Sequence, residues 1–358
     1  MSQGLKRVHH VEFVVGNAKQ AAFFYRKGFG FDQVAYRGPE TGCADRASYV
    51  MKQNDITLIL TSPLRHDDPL STWLMLHGDG VYDIALEVND LEAVYGRAIA
   101  AEARSCQEIG ELSGDDGKVR VAGIHAYGEL RHSLIQKDGY EGFLPGFVPS
   151  EIKGESAGLV FIDHIVGNLS FGQMNLWVDW YDRVLGLTKF VSYDDKDIST
   201  EYSALQSTVV ASADRTIKFP LNEPAKGKKK SQIQEYIDSN LTAGAQHLAL
   251  RTDDILATIK TLRSNGIEFL AVPEGYYDNV WKRVGVVQED KDAIKDLRIL
   301  VDKDDNGYLL QVFTRPLQDR PTFFIEIIQR AGSDSFGKGN FKALFETIEQ
   351  EQRQRGNL

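Results

Sequence analysis

Ile162-Asp163-His164-Ile165-Val166-Gly167-Asn168 decides the fold, because it is foreshadowed by Val8-His9-His10-Val11 running on to Val15-Gly16-Asn17. After each copy comes a helical stretch carrying aromatics and then a glycine turn. The earlier one ends Phe24-Tyr25-Arg26-Lys27-Gly28-Phe29-Gly30-Phe31, the later one Trp180-Tyr181-Asp182-Arg183-Val184-Leu185-Gly186-Leu187. Further on, Tyr82-Asp83-Ile84-Ala85-Leu86 matches Gln246-His247-Leu248-Ala249-Leu250. Both lead into amphipathic helices, with Leu91, Val94 and Ala98 on one apolar face and Ile255, Ile259 and Leu262 on the other. Alternating runs such as Ala47–Met51 and Ile56–Leu60 add further strands. Self-similarity on this scale means one plan used twice, each half a strand, a helix and several strands.

The Pro- and Gly-containing stretch Gly142–Ser150 reads as a linker, and the boundary is placed so that one domain covers 1–154 and the other 155–358. Near the end, Phe341, Leu344, Phe345 and Ile348 share one face of a helix. Gly337 and Gly339 before it form a candidate hinge, and a helix with one aromatic face suits the mouth of a pocket.

Bulk composition narrows the class. The chain has 358 residues, 42% hydrophobic and 26% charged, as expected of a globular protein. A net charge of −10 steers it away from nucleic acid and anionic membranes, and Lys226–Lys230 is too short a basic run to reverse that. No run reaches the ~20 apolar residues needed to cross a bilayer. The opening Met1–Arg7 lacks the apolar core of a signal peptide. Two distant cysteines, Cys43 and Cys106, make no disulfide framework, and a reducing cytoplasm is the expected location.

Chemistry concentrates in the second half. His164, His247 and Glu326 each sit inside an apolar strand-like run, the last within Phe323-Phe324-Ile325-Glu326-Ile327-Ile328. Burying an unpaired carboxylate there is costly unless a cation compensates. Two imidazoles and one carboxylate suit a non-haem Fe(II) centre with open positions. Pairing of Glu326 with Arg320 or Arg330 is the competing reading. In the first half His10 aligns with His164, but Asp83 stands at the place of His247 and Ser133 at that of Glu326. That half cannot assemble the triad, so His9, His10 and His132 read as structural. Asn222, between Pro220 and Pro224, and Gln232, after a potential helix cap at Ser231, have a turn or cap reading on residue type alone.

Several segments together resemble the 4-hydroxyphenylpyruvate dioxygenase family: Pro220–Pro224, Lys230–Gln234, Gly244–Leu250, Asp319–Arg330 and Phe336-Gly337-Lys338-Gly339-Asn340-Phe341. The resemblance is dense from about 160 to 348 and looser before. It implies an α+β vicinal oxygen chelate fold of paired βαβββ modules curled into two open barrels, with a C-terminal gating helix. It also implies Fe(II) on His164, His247 and Glu326, and the conversion of 4-hydroxyphenylpyruvate and O2 to homogentisate and CO2. Carried over by motif, Ser207, Asn222, Gln232 and Gln246 are the polar catalytic set. Pro220, Leu300, Gln311, Phe313, Phe324, Phe336, Gly337, Asn340 and Phe341 are the substrate-binding set. A homodimer or homotetramer is the implied assembly. The competing functions are 4-hydroxymandelate synthase and a metal-free binding protein of the same fold. Pro220, Asn222 and Phe336 favour the dioxygenase, because the synthases depart from that pattern.

Overall fold

A computed structural model describes residues 4–114, 117–194 and 204–357. The first half holds β1 (Leu5–Val14), α1 (Ala18–Phe29), β2 (Asp32–Arg37), β3 (Arg46–Gln53), β4 (Ile56–Pro63), α2 (Pro69–His77), β5 (Gly80–Val88), α3 (Leu91–Ala100), β6 (Ser105–Gly114), β7 (Gly117–His125), β8 (Arg131–Lys137) and β9 (Val148–Ile152). The second holds β10 (Leu159–Asn168), α4 (Met174–Leu185), β11 (Thr188–Tyr193), β12 (Ala204–Ala211), β13 (Lys218–Ala225), α5 (Gln232–Asn240), β14 (Gly244–Thr252), α6 (Ile255–Ser264), α7 (Tyr277–Val284), α8 (Lys291–Asp296), β15 (Leu300–Lys303), β16 (Tyr308–Phe313), β17 (Phe324–Ala331) and α9 (Phe341–Gln354).

Each half carries the strand-helix-three-strand plan twice. The sheet orders are β6-β7-β8-β5-β1-β4-β3-β2-β9 and β11-β12-β13-β10-β14-β17-β16-β15. In every module the opening strand pairs in parallel with the closing one: β1 with β4, β5 with β8, β10 with β13 and β14 with β17. The two modules of each half join antiparallel at their opening strands, β1 on β5 and β10 on β14. The repeat extends to an irregularity: β10 steps from Ile162↔Leu250 to His164↔Ala249, and β1 from Val8↔Leu86 to His10↔Ala85. Such a bulge re-aims the next side chain and sharpens the local twist.

Local signals explain the elements. Asn17, Asp90 and Asp254 cap α1, α3 and α6 by accepting from Gln20, Ala93 and Ala257 backbone N–H groups. Gly30 and Gly186 end α1 and α4 in the left-handed region, at φ 78° and 68°. Ser231 caps α5, as its sequence position suggested.

The stretch expected to be a linker is partly a strand. Gly142–Phe147 folds over the first barrel, and Val148–Ile152 adds β9 to the sheet edge beside β2, with Ala35 opposite Pro149. An edge strand tolerates the missing N–H of Pro149, and the alternation of Val148 and Ile152 supplies the strand character hidden by its prolines and glycines. The first sheet ends at Ile152 and the second begins at Leu159. Between them the buried Gln53 carboxamide oxygen accepts from the Ala157 and Leu159 backbone N–H groups.

One apolar core runs through both halves, with Phe13 packed edge-on against Phe323 at 4.9 Å. His132, fully buried, reaches the Ile84 carbonyl with Nδ1 (2.8 Å) and the Tyr181 hydroxyl with Nε2 (2.9 Å), so its ring is used up in joining the halves. No helix among the described residues is long and apolar enough to cross a membrane.

Candidate metal centre

Three neighbouring strands in the middle of the second sheet each contribute one candidate ligand: β10 His164, β14 His247 and β17 Glu326. The register sets Ala249 of the middle strand opposite both His164 and Glu326, while His247 lies two residues back on the same face. His164 Nε2 is 3.2 Å and His247 Nε2 3.4 Å from the same carboxylate oxygen, Glu326 Oε2. All three side chains are buried, and their donor atoms lie within 4.8 Å of one another. Among the described residues this is the one His/Cys/Asp/Glu group so arranged.

The remaining ring nitrogens are already committed. His164 Nδ1 lies 2.8 Å from Asp163 Oδ1, and His247 Nδ1 lies 3.0 Å from the Gln246 amide oxygen. An ionised carboxylate and an amide oxygen only accept, so Nδ1 carries a proton in both rings and Nε2 is the nitrogen turned toward Glu326. Outer partners of this kind orient metal-binding imidazoles. Gln311 Nε2 donates to Glu326 Oε1 (3.1 Å), which leaves Oε2 toward the two rings.

Electrostatics point the same way. Burial pushes the Glu326 carboxyl up, but the two imidazoles outweigh it and hold its pKa at about 2. At His164 the pull of burial is overcome by Glu326 and Asp163, which raise it, whereas burial dominates at His247 and lowers it. A carboxylate kept ionised beside two ring nitrogens is a socket for a cation, which would replace any proton on Nε2. The donor set fits a divalent metal with open coordination positions.

Neither arginine considered as a partner for Glu326 takes that role. Arg320 donates to the Met75 and Leu76 carbonyls in the first half. Arg330 forms a bidentate pair with Asp163, through Nε and Nη2 at 2.9 Å each. Asp163 also meets Lys218 Nζ at 3.1 Å. Asp163 has a sequence signal of its own, since a carboxylate beside a ligand histidine in an apolar strand marks an orienting partner.

Around the triad lies a cavity of about 70 Å³. Ser207, Pro220, Asn222, Gln232, Gln246 and Gln311 line it, together with Phe313, Phe324, Phe336 and Phe341. Phe324 stacks on the His247 ring (4.7 Å, 19°), and Phe336 meets His164 edge-on (5.1 Å, 71°). Ser207 and Asn222 face one another across β12 and β13. The aromatic face of α9 closes the cavity with Phe341, Leu344, Phe345 and Ile348, and Arg355 beyond its end binds Glu235 of α5 bidentately (3.1 and 2.8 Å). Val166 and Leu205 also line it and carry no sequence signal beyond apolarity.

Three expected pocket residues stand back from the cavity. Leu300 packs into the main core on β15, the edge strand beyond Gln311. Asn340 donates to the Gln311 amide oxygen (3.0 Å) instead of facing the cavity. Gly337 lies against Gln311 at φ 76°, and a β-carbon there would collide with the Gln311 carboxamide. Gly337→Ala is therefore expected to shift Gln311 and loosen Glu326, weakening metal binding about 10- to 100-fold in a competition titration. Unchanged affinity would separate the glycine from the site.

Residues 9–119 and 161–312 match models described as the Glyoxalase/Bleomycin resistance protein/Dioxygenase superfamily. The chain is 49% identical over 363 residues to 4-hydroxyphenylpyruvate dioxygenase of Caenorhabditis elegans, covering 98% of this chain and 92% of that one. With the same-named protein of Dictyostelium discoideum it shares 47% over 362 residues, covering 98% and 99%. The chain belongs to the 4-hydroxyphenylpyruvate dioxygenase family. It is an α+β vicinal oxygen chelate protein and, like its family, an oxidoreductase of the dioxygenase type. Among solved structures, a mutant of 4-hydroxymandelate synthase from Streptomyces coelicolor superimposes with a TM-score of 0.89 at 28% identity, covering 98% of this chain and 99% of that one. A Mn(II)-bound glyoxalase from Novosphingobium aromaticivorans shares the fold, with a TM-score of 0.52.

Proposed function

We propose that this chain converts 4-hydroxyphenylpyruvate and O2 to homogentisate and CO2, a step of tyrosine breakdown, with Fe(II) on His164, His247 and Glu326. The observation that carries the reading is the convergence of a two-histidine, one-carboxylate socket with an aromatic slot and a cluster of polar side chains in one cavity. Bound iron supplies the Lewis acidity and redox capacity for coupling decarboxylation to hydroxylation.

The chain's own residues bind, orient and exclude water. Phe324, Phe336 and Phe341 hold the substrate ring between aromatic faces and edges. Ser207, Asn222 and Gln232 offer hydroxyl and amide groups to the phenol, fixing which ring carbon faces the metal. Gln246 and Gln311 act on the ligands His247 and Glu326. Asn222→Ala is expected to lower kcat/KM about 10- to 100-fold while the bound iron stays at one per chain. Loss of iron in that variant would show Asn222 acting on the metal instead.

Outward movement of α9, whose aromatic face lines the cavity, would admit substrate, and its return would shed water. The domain from 155 to 358 is the catalytic one, and 1–154 supports it without a triad of its own. Cys43 and Cys106 are both free thiols, which suits a cytoplasmic setting. Phe23, Val148 and Ile152 expose apolar surface around α1 and β9, which suits association into a homodimer or homotetramer.

The deciding experiment is aerobic turnover of 4-hydroxyphenylpyruvate by the Fe(II)-loaded chain, with the product identified by chromatography. Homogentisate is expected. 4-Hydroxymandelate would establish the synthase, and absence of O2 uptake would leave a binding protein.

A further inference from the structure

The first half keeps the geometry of the metal site and changes its chemistry. His10 pairs with Ala85 as His164 pairs with Ala249, and Asp83 pairs with Arg131 as His247 pairs with Phe324. That register sets Ser133 where Glu326 stands. The two residues replacing metal ligands hold a guanidinium instead: Arg131 Nε donates to Asp83 Oδ2 (2.9 Å) and Nη2 to Ser133 Oγ (3.0 Å). Asp83 is itself fixed by the Ser133 backbone N–H at 2.9 Å. A permanent cation is thus held by the residues at two of the three ligand positions.

It opens on a cavity of about 400 Å³, within the range of small-molecule sites and far larger than the one around the triad. Glu12, on the same wall, accepts from Thr61 Oγ1 (2.7 Å), which lies 2.8 Å from Ser48 Oγ. Burial pushes the Glu12 carboxyl up, while Arg131 and the Thr61 hydroxyl pull it back. Across the cavity Arg46 is matched by Asp68, through bonds of 2.6 and 2.9 Å, and Arg37 adds a third guanidinium at the rim. Ile59, Val121, Ile135, Leu144 and Phe147 make one side of the wall apolar, while His10, Asp45 and Gln107 keep other parts of it polar. Leu144 and Phe147 come from the segment before β9, which covers this barrel as α9 covers the other.

We propose that this cavity is a second ligand site, for a small carboxylic acid with an apolar body, its carboxylate held by Arg131 and its body by the Val121–Phe147 side. The site needs neither the metal nor the catalytic cavity.

The test is calorimetric titration of the full chain with 3-phenylpropanoate, which lacks the keto oxygen needed to chelate a metal. One site per chain is expected in the wild type and also in His247→Ala. Affinity is expected to fall about tenfold or more in the charge-neutral pair Asp83→Asn/Arg131→Gln, the effect of losing hydrogen bonds to a charged group. Val121→Phe keeps the Asp83–Arg131 pair, fills the cavity and is expected to abolish binding, so it decides the matter if the paired variant does not fold. Absence of heat in the millimolar range, or binding undiminished in Val121→Phe, overturns the proposal.

Discussion

His247→Ala is expected to lose its metal and its turnover together. His247 sits on the middle of the three ligand strands, its Nε2 is 3.4 Å from Glu326 Oε2, and its Nδ1 is committed to Gln246. Alanine removes one of two neutral donors, and nothing nearby replaces it, because Phe313 and Phe324 pack against that ring. Removing a partner outside the coordination sphere already costs about 10- to 100-fold in affinity, so loss of a ligand is expected to cost more than ~100-fold. Glu326 is then left beside one imidazole and takes up a proton more easily. Metal analysis after anaerobic loading, with turnover measured in parallel, checks both. Full iron content in His247→Ala would remove this residue from the ligand set, and full turnover without iron would remove the metal from the chemistry.

Asp163→Ala is expected to be the most damaging substitution outside the ligands. Asp163 is 2% exposed and receives Arg330 twice, Lys218 and His164. Without it, two buried cations lose their carboxylate. Breaking a buried pair from one side typically costs about 3–5 kcal/mol. His164 also loses the acceptor that fixes its tautomer, so metal affinity should fall about 10- to 100-fold in the molecules that fold. The damage spreads because Arg330 Nη1 also binds the Ser333 carbonyl (3.2 Å), and its guanidinium lies 5.4 Å from the Phe336 ring centre. Asp163→Asn keeps the shape and one acceptor and should recover part of the stability. Chemical denaturation and metal titration of both variants separate the two effects. Stability within ~1 kcal/mol of wild type in Asp163→Ala would show that the arginine and lysine find other partners.

The sequence made the repeated plan and the triad legible because both rest on short-range pattern. Strand-helix periodicity exposed the two copies, and polar residues inside apolar strands exposed His164, His247 and Glu326. Positions defined by register were harder to place. Asn340 and Gly337 belong to a motif that reads as pocket wall, yet their contacts go to Gln311, one layer behind. Leu300 shares a strand pair with Gln311 but sits on the sheet edge, inside the core. Val148–Ile152 was masked by the proline and glycines around it, since pairing with β2 is a long-range event that composition does not reveal. Arg330 was weighed against Glu326 only along its own strand, and its true partner lies 167 positions away.

His164 comes from the opening module of the second barrel, whereas His247 and Glu326 come from its closing module. An ion gripped by all three would act as a clasp across the β10–β14 seam. Thermal melting of the whole barrel should then climb with free ferrous concentration, and a chelator should undo the gain. In a cell short of iron, this protein would become easier to unfold as well as slower to react.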